Sequence, residues 1–421
     1  MNEESFITEI GGGVCAAGGV RAAAVTAGIK ESGRPDMALI EFDPPAKAAG
    51  VFTRNLVCAA PVVLCRERVS KGPLRAVLVN SGIANAYTGK AGLDAAYRLC
   101  REVAGRLGCT EEEVVMSSTG LIGGPLPVEM MEAALGGLID SLSSEGGTPA
   151  AEAIMTTDTR PKEFAVSVDL SGGAVRIGGM SKGAGMIAPD MATMLAYVAT
   201  DAALSADTMA PMLRAAADAS FNCITIDGDT STNDTVILAA TGASGVRVEG
   251  KEALGRFEAG LKRVCIELAL AIVRDGEGVT KVVQIRVEGA ASGEDARRAA
   301  RSIAESLLVK TAINGCLPNW GRILAAAGYS GAHLDPDRMS LRFDDIEVVK
   351  EGAPVEAPGA SLGEVLEKPE YTVTLDLGAG SAGAAIFIVL ASGPKCSREG
   401  AGETERGRER VREGDRLRGR N

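Results

Sequence analysis

Apolar residues recur along the chain with two different periods, which predicts a mixture of helices and strands. From Lys251 to Val273 they stand three or four residues apart, the spacing of an amphipathic helix. From Ala165 to Ile177 apolar and polar residues alternate around Gly172-Gly173, the pattern of a β-hairpin. The chain is therefore predicted to fold as mixed α and β. Further helices are predicted over Gly92 to Leu107, Ser205 to Phe221 and Glu294 to Leu308, and further strands at Leu195 to Thr200, Val282 to Val287, Leu341 and Val373.

Two other predicted strands run into loops of small polar residues. Leu74 to Val79 leads into Asn80 to Ala86, and Val114 to Met116 leads into Ser117 to Gly123. Backbone N–H groups in such loops can face a developing negative charge. An ordinary turn between a strand and a helix is the alternative interpretation.

Composition narrows the class of protein. The chain has 421 residues, 46% of them apolar, which is enough for a sizeable core in two or three domains. Lys plus Arg is 44 and Asp plus Glu is 55, so the net charge is 44 − 55 = −11. That sign disfavours binding to nucleic acid or to an anionic membrane surface, and no apolar run approaches the ~18 residues of a membrane span. A small-molecule enzyme fits better.

Cysteine usage and the start of the chain predict a cytoplasmic protein. Nine cysteines are scattered without a CxxC pair or metal-ligand spacing, as expected of thiols in a reducing compartment. Met1 to Ile10 shows no pattern of a signal or transit peptide.

The chain contains one histidine, His333, which limits the available chemistry. It lies in a turn-like context without a G-x-S-x-G motif, so a Ser-His-Asp site is disfavoured. Zinc sites usually need several His or Cys ligands, and no metal is predicted. The sequence predicts no clear strand before the run Gly11-Gly12-Gly13, which therefore makes a poor dinucleotide motif. A nucleophile that needs no histidine remains, such as a Thr activated by its own α-amine after internal cleavage.

Self-cleavage needs a glycine-rich approach to an internal Thr, Ser or Cys, and the stretch from Gly178 to Asp201 provides one. Its core is Lys182-Gly-Ala-Gly-Met-Ile-Ala-Pro-Asp-Met-Ala192-Thr193. With this stretch the chain, from Phe6 to Gly383, resembles the ornithine acetyltransferase (glutamate N-acetyltransferase) family of arginine biosynthesis, the bifunctional ArgJ type. Further motifs carry the resemblance: Asn80 to Ala86, Ser117 to Gly123, Ile154 to Thr159, Asp227 to Asp234, Arg274 to Lys281 and Pro318 to Gly331.

The resemblance implies self-cleavage between Ala192 and Thr193, with Thr193 as the new N-terminus and the nucleophile. Its free α-amine is less basic than a lysine and can deprotonate its own hydroxyl. Acetyl then passes from N-acetylornithine to Thr193 and on to glutamate, without metal or cofactor. Some family members also use acetyl-CoA, so its use here stays open.

Other site residues are implied by the same resemblance. Thr119 and Gly120 match the oxyanion hole of the family. Lys182 matches a substrate-binding lysine and is a candidate partner for a carboxylate; a solvated surface lysine is the alternative. The remaining implied contacts are one threonine of the Thr156-Thr157 pair and Glu277, for which an exposed helix-ending acid is the alternative. Asp229 and Asn233 are interpreted as structural.

The implied fold is α/β (α+β), a layered Thr-nucleophile sandwich resembling the DmpA/ArgJ-like fold, with a smaller C-terminal α+β lobe. Cleavage would give an alpha chain, 1–192, and a beta chain, 193–421, paired as alpha2beta2. Within the beta chain, 193–280 would complete the catalytic lobe, 281–392 form the C-terminal lobe and 393–421 form a disordered tail.

The chain departs from the family pattern after Ala384. Residues 395–421 hold nine Lys or Arg and six Asp or Glu with almost no apolar residue, as a disordered tail does. Family members end instead in a segment whose Asn and terminal hydroxyl residue contact substrate. The sequence therefore predicts intact self-cleavage with weakened substrate binding.

Two alternatives to acetyl transfer stay open. A self-cleaved amidase or aminopeptidase would use the same nucleophile and pass the acyl group to water. A non-catalytic binding or assembly protein would remain as one uncut chain.

Overall fold

The computed structural model describes residues 5–188, 194–355, 359–381 and 385–392. These residues fall into two compact units that divide between Glu277 and Gly278. The predicted cleavage point between Ala192 and Thr193 and the predicted tail lie outside the described residues. No helix in the described ranges is long and apolar enough to cross a membrane.

The first unit is built from long strands and amphipathic helices. Its strands are β1 (Ile7–Ile10), β2 (Val20–Val25), β3 (Met37–Phe52), β4 (Leu74–Ile83), β5 (Val114–Leu121), β6 (Lys162–Leu170), β7 (Gly173–Lys182), β8 (Leu195–Thr200), β9 (Ile224–Thr225) and β10 (Thr235–Ala240). Its helices are α1 (Ala60–Arg68), α2 (Gly89–Leu107), α3 (Val128–Asp140), α4 (Gly147–Ala153), α5 (Ala206–Asp218) and α6 (Gly250–Arg274).

Nine of these strands form one sheet, in which β3 belongs to two halves. The order is β1-β6-β7-β8-β10-β3-β4-β5, and β2 pairs with the first half of β3. Residues 37–41 of β3 pair with β2 and β4, whereas residues 47–52 pair with β10. Both halves contribute to one hydrophobic core, in which Leu39, Met116 and Tyr197 are buried. The mixed α and β architecture predicted from the sequence is confirmed.

The strand register aligns three segments at one end of the sheet. Lys182 at the end of β7 pairs with Leu195 at the start of β8, and Leu195 pairs with Thr235 at the start of β10. In the other half of the sheet, β4 and β5 run parallel, and Ser81 pairs with Thr119. Because carboxyl ends of parallel strands lie at the same edge, their loops meet there.

Helix α6, predicted over Lys251 to Val273, covers the β6–β7 hairpin. The approach is close at Gly260, where a Cβ atom would stand 2.4 Å from Val168 Cγ2. Helix α5 begins after Ser205, whose hydroxyl accepts a hydrogen bond from the Thr208 amide. Both predicted helices and the predicted hairpin are therefore present.

The second unit is a smaller α+β body with its own core. Strand β11 pairs in parallel with β15 and in antiparallel with β16, and helices cover the buried face of this sheet. Its strands are β11 (Val279–Glu288), β12 (Ser340–Phe343), β13 (Ile346–Lys350), β14 (Ala353–Pro354), β15 (Glu370–Asp376) and β16 (Ala385–Ser392), and its helices are α7 (Gly293–Glu305), α8 (Leu307–Asn314), α9 (Gly321–Gly328) and α10 (Gly359–Glu367).

One predicted helix of this unit is wrong in detail. The pattern from Glu294 to Leu308 predicts one helix, but the chain breaks at Ser306. That residue has an extended ψ of 115°, and its hydroxyl accepts from the Val309 amide. Ser306 therefore caps a second helix, since a serine hydroxyl competes with helical backbone bonds.

The expectation that the cysteines are buried thiols is confirmed for only three of them: Cys65, Cys100 and Cys265. Among the described residues seven cysteines are free, and burial raises the pKa of the Cys65 thiol to about 12. Buried thiols of that kind are unreactive at neutral pH. The expectation of free thiols is wrong for Cys316, which is disulfide-bonded.

Candidate active site

The ends of β4 and β5 place a hydroxyl and an amide beside each other. Thr119 is buried, and the next residue, Gly120, is exposed with a φ of +129°. A Cβ atom on Gly120 would stand 2.2 Å from the carbonyl carbon of Gly82 on β4. Only glycine fits this position, because both the backbone angle and the neighbouring strand exclude a side chain. Thr119 and Gly120, the predicted oxyanion-hole pair, thus lie at the end of β5, where the backbone packs closely against β4.

Lys182 points its ammonium group at this strand end. Its Nζ donates to Thr119 Oγ1 at 3.2 Å and to Thr156 Oγ1 at 2.9 Å. The side chain is 4% exposed, so the alternative of a solvated surface lysine is wrong. Burial lowers the pKa of the Lys182 amine below its usual value, although the charges of Asp158, Asp234 and Glu277 oppose that change.

The hydrogen-bond direction matters for Thr119. Because its oxygen accepts from the Lys182 ammonium, its own hydroxyl hydrogen remains available to a third group. A hydroxyl polarised by a neighbouring cation is a better donor to a developing oxyanion. The arrangement suits Thr119 for the role that the sequence resemblance implies.

Of the two adjacent threonines, Thr156 is the one in contact with the site. Its hydroxyl accepts from Lys182, and its amide donates to Asp158 Oδ2 at 3.0 Å. Thr157 is exposed. The structure therefore places Thr156, rather than Thr157, beside the lysine.

A buried ion network lies behind Lys182. Lys162 Nζ lies 2.6 Å from Asp158 Oδ1 and 2.6 Å from Asp275 Oδ2. Burial alone would raise the pKa of Asp158, but the charges of Lys182 and Lys162 outweigh it and lower that pKa to about 2. The pKa of Asp275 is also lowered, since hydrogen bonds from Lys162 and Thr159 outweigh its burial.

The glycine-rich segment after Lys182 is held by backbone contacts. The Gly183 amide donates to Asp158 Oδ1 at 2.7 Å, and the Ala184 carbonyl accepts from the Glu277 amide at 2.8 Å. The Met186 and Ile187 amides both donate to the Asp227 carboxylate, at 2.5 and 2.9 Å. Residues 183–187 are therefore fixed just before 189–193, which lie outside the described residues together with the predicted Ala192 and Thr193.

On the other side of that gap, Met194 is held by Asp234. The Met194 amide donates to Asp234 Oδ1 at 3.1 Å, whereas Oδ2 is buried without a hydrogen-bond partner among the described residues. Burial raises the pKa of this carboxyl well above its usual range.

Glu277 lies near the same segment but is exposed. Its carboxylate oxygen Oε1 stands 2.7 Å from the position that a Cβ atom on Gly185 would take. Its charge acts on Lys182. The structure thus places Glu277 beside the segment that follows Lys182, exposed just after the end of α6, and its contact with substrate stays a prediction.

Asn233 has the structural setting that the sequence suggested, whereas the structural interpretation of Asp229, which is exposed, stays a prediction. Asn233 Nδ2 donates to the carbonyl groups of Ala84 and Ser118, which ties together the two loops of the site. The Asp229 amide donates to Asp227 Oδ1 within the same turn.

Sequence reasoning missed the carboxylates and the lysine that support the site. Asp158 and Lys162 stand four residues apart, a spacing that also describes many exposed ion pairs. Asp275 lies 113 residues from Lys162 in the sequence, so nothing local connects them. The described residues contain no group of three or more His, Cys, Asp or Glu side chains that could hold a metal ion.

Comparison with known proteins gives a consistent result. A model described as the ArgJ family matches residues 21–389. The arginine biosynthesis bifunctional protein ArgJ of Thermosynechococcus vestitus is 51% identical over 350 residues, which cover 82% of this chain and 84% of that protein. The protein of the same name from Symbiobacterium thermophilum is 48% identical over 375 residues, 88% of this chain and 93% of that protein.

A solved structure is also similar in sequence. The ornithine acetyltransferase of Mycobacterium tuberculosis, complexed with ornithine, is 43% identical in the matched region. The match covers 44% of this chain and 98% of that chain, with a TM-score of 0.41.

Proposed function

The chain belongs to the ArgJ family, and we propose that it transfers acetyl from N2-acetyl-L-ornithine to L-glutamate in arginine biosynthesis. The products are ornithine and N-acetylglutamate. Curated relatives named bifunctional ArgJ favour this reaction over the amidase or aminopeptidase alternative. The structural observation that carries the proposal is the buried Lys182 ammonium beside Thr119, where a substrate carboxylate and a reacting carbonyl can be held together.

The proposed chemistry starts with self-cleavage between Ala192 and Thr193. The hydroxyl of Thr193 attacks the Ala192 carbonyl, and the amide bond becomes an ester as the α-amine of Thr193 leaves. Water then hydrolyses the ester to give the carboxylate of Ala192 and the free hydroxyl of Thr193. An α-amine has a pKa of about 8, so near neutral pH its neutral form is populated and can take the hydroxyl proton.

Acetyl transfer then proceeds in two steps through one ester. Thr193 Oγ attacks the acetyl carbonyl of N-acetylornithine, and the ornithine amine leaves with a proton. The amine of glutamate attacks the acetyl ester and Thr193 regains its proton. Thr119 and Gly120 donate to the oxyanion in both steps, a contribution of about 10²–10³ in rate for one such donor.

Binding of both substrates relies on groups that the two molecules share. Each carries an α-carboxylate, for which Lys182 is the proposed cation and Thr156 an adjacent hydroxyl donor. Glu277 is proposed as a further substrate contact. Acyl transfer through a threonine ester needs a nucleophile, a base and oxyanion donors, which the proposed Thr193, Thr119 and Gly120 supply, so we assign it no metal or cofactor. Acetyl-CoA as a second acetyl donor is a separate proposal for the same Thr193.

The assembly and location are also part of the proposal. The two cleaved chains stay together as alpha2beta2 in the cytoplasm. The departure from the family pattern after Ala384 is proposed to weaken substrate binding without stopping cleavage.

Product analysis tests the proposed function. Purified protein is incubated with N-acetylornithine, with and without glutamate, beside a Thr193→Ala control. Acetyl transfer predicts N-acetylglutamate in amounts equal to ornithine, and neither product in the control. Release of free acetate at the same rate without glutamate would identify a hydrolase instead.

A further inference from the structure

We infer that Lys162 and Asp275 are positioning residues that keep the Asp158 carboxylate engaged, so that the Lys182 ammonium stays available for the substrate carboxylate. The inference deepens the proposed function and rests on it. It concerns four buried charged side chains of the first unit. They are Asp158, Lys162, Lys182 and Asp275, which pair with one another away from the protein surface.

The two lysines of this group lie at different distances from the carboxylates. Lys162 has a carboxylate at 2.6 Å on each side, and its side chain is only 1% exposed. Lys182 lies 4.0 Å from Asp158 Oδ2, which is the nearest carboxylate to it among the described residues. The hydrogen bonds of Lys182 go to hydroxyl groups instead.

Both oxygens of Asp158 are already occupied. Oδ1 accepts from Lys162 Nζ at 2.6 Å and from the Gly183 amide at 2.7 Å, and Oδ2 accepts from the Thr156 amide at 3.0 Å. The carboxylate is thereby turned toward Lys162 and toward the backbone. Coulomb attraction falls with distance, so the contact at 2.6 Å is much stronger than the one at 4.0 Å.

Asp275 in turn keeps Lys162 in its place. It accepts from the Thr159 amide at 2.9 Å and from the Thr159 hydroxyl as well as from Lys162. A lysine held between two fixed carboxylates cannot swing toward the substrate, and Asp158 remains neutralised.

Removing Lys162 should change the partner of Asp158. Among the described residues, Lys182 would be the cation nearest to it, and its flexible side chain can close a gap of 4.0 Å to a direct ion pair, whereas Lys30, whose charge also acts on Asp158, donates to the carbonyls of Pro35 and Ala153. A lysine paired in that way is no longer available to a substrate carboxylate, and the KM of carboxylate substrates should rise.

Two double variants separate this inference from a general loss of structure. Lys162→Met/Asp158→Asn and Lys162→Met/Asp275→Asn each remove one cation and one anion, so neither leaves a net change of charge in the core. The first removes the carboxylate that would capture Lys182; the second leaves it. KM and kcat are measured for N-acetylornithine and for its α-carboxamide, which lacks the charge that Lys182 binds.

The inference predicts that the two double variants differ in their KM for N-acetylornithine. Lys162→Met/Asp275→Asn should raise the KM of N-acetylornithine by about 10-fold or more, the usual scale of a lost charged hydrogen bond, with kcat largely kept. Lys162→Met/Asp158→Asn should stay within about threefold of the wild type. For the carboxamide, neither variant should change the KM.

Equal KM values in the two double variants, or a matching rise for the carboxamide, would overturn the inference. If a double variant does not fold, Asp275→Asn alone decides: with Lys162 no longer held from both sides, Asp158 can turn toward Lys182, so the KM of N-acetylornithine should rise while that of its α-carboxamide should not, and an unchanged KM for N-acetylornithine would contradict the proposal. If the wild-type protein transfers no acetyl at all, the proposed function fails rather than this inference.

Discussion

Lys182 Nζ lies 3.2 Å from Thr119 Oγ1, so the buried ammonium group and the strand-end hydroxyl share one hydrogen bond. This contact joins the proposed binding of a carboxylate to the proposed stabilisation of an oxyanion. We expect a substrate whose carboxylate binds Lys182 to place its acetyl carbonyl near Thr119, at the end of β5. Binding and chemistry are therefore expected to respond differently to changes at the two residues.

Replacing the lysine should mainly affect binding. Lys182→Met removes a charged hydrogen bond of about 1.5–3 kcal/mol, which corresponds to a rise in KM of about 10- to 150-fold. Lys71→Met is the matched control, since Lys71 is an exposed surface lysine that pairs with Glu67. Steady-state kinetics with N-acetylornithine should show the rise in the first variant alone; equal kinetics in both would remove Lys182 from the site.

A methyl group at Gly120 should affect the chemical step. In Gly120→Ala the new Cβ would collide with the backbone of Gly82 and displace the proposed oxyanion donor, which should lower kcat by about 100-fold or more. Gly123→Ala is the control, because Gly123 also has a positive φ, +89°, but nothing lies within 4 Å of its Cβ position. It should lose about 1–2 kcal/mol of stability and keep its kcat.

If Gly123→Ala lost as much kcat as Gly120→Ala, backbone strain rather than the lost donor would explain both results. Thermal unfolding of the two variants, measured alongside, shows how much each is destabilised.

The pH dependence of substrate binding should reflect the lowered pKa of Lys182. An uncharged amine cannot attract a carboxylate, so the KM should rise as pH increases through that pKa, at a pH below the usual lysine value of 10.5. In Lys182→Arg the guanidinium group keeps its charge over this range, and the rise should disappear. Measuring KM for N-acetylornithine against pH in both proteins tests this, since titration of the substrate is common to both. The same rise in the arginine variant would contradict the assignment.

Low pH should reduce the free energy of unfolding, because the Asp158 carboxylate becomes protonated. A carboxylate whose pKa is about 2 in the folded chain and about 3.8 when unfolded stabilises the fold by about 2 kcal/mol above pH 5, and this is lost as pH falls toward 2. Denaturant unfolding at pH 5.5 and pH 3 should show a larger loss in the wild type than in Asp158→Asn, by about 1 kcal/mol. Equal losses would mean that the Asp158 ion pairs do not contribute.

Local patterns in the sequence predict most of the fold. The helix over Lys251 to Val273 and the hairpin around Gly172-Gly173 follow from apolar spacing alone, because each buries one continuous face. The break at Ser306 was missed, since the apolar spacing continues across it and only the serine cap interrupts the helix. The apolar pattern therefore predicts which face of a helix is buried better than it predicts where the helix ends.

The supporting part of the site could not be predicted in this way. Lys182 and Thr119 were recognised because the family resemblance implies roles for them, whereas it implied none for Asp275, although Asp275 lies in one of the motifs that carry the resemblance. Asp275 and Lys162 meet only after α6 has packed on the β6–β7 hairpin, and a lysine between two aspartates looks, in sequence, like exposed charge. Long-range pairing of that kind depends on the fold and leaves no local signal.

The central claim is that Thr193 becomes an N-terminal nucleophile by self-cleavage, and the intact mass of the purified full-length protein tests it most directly. The account predicts two fragments, one ending at Ala192 and one beginning at Thr193, whose masses sum to the 43.1 kDa chain plus one water. It predicts a single uncut chain for Thr193→Ala. An uncut wild-type chain, or cleavage that persists in Thr193→Ala, would contradict the account.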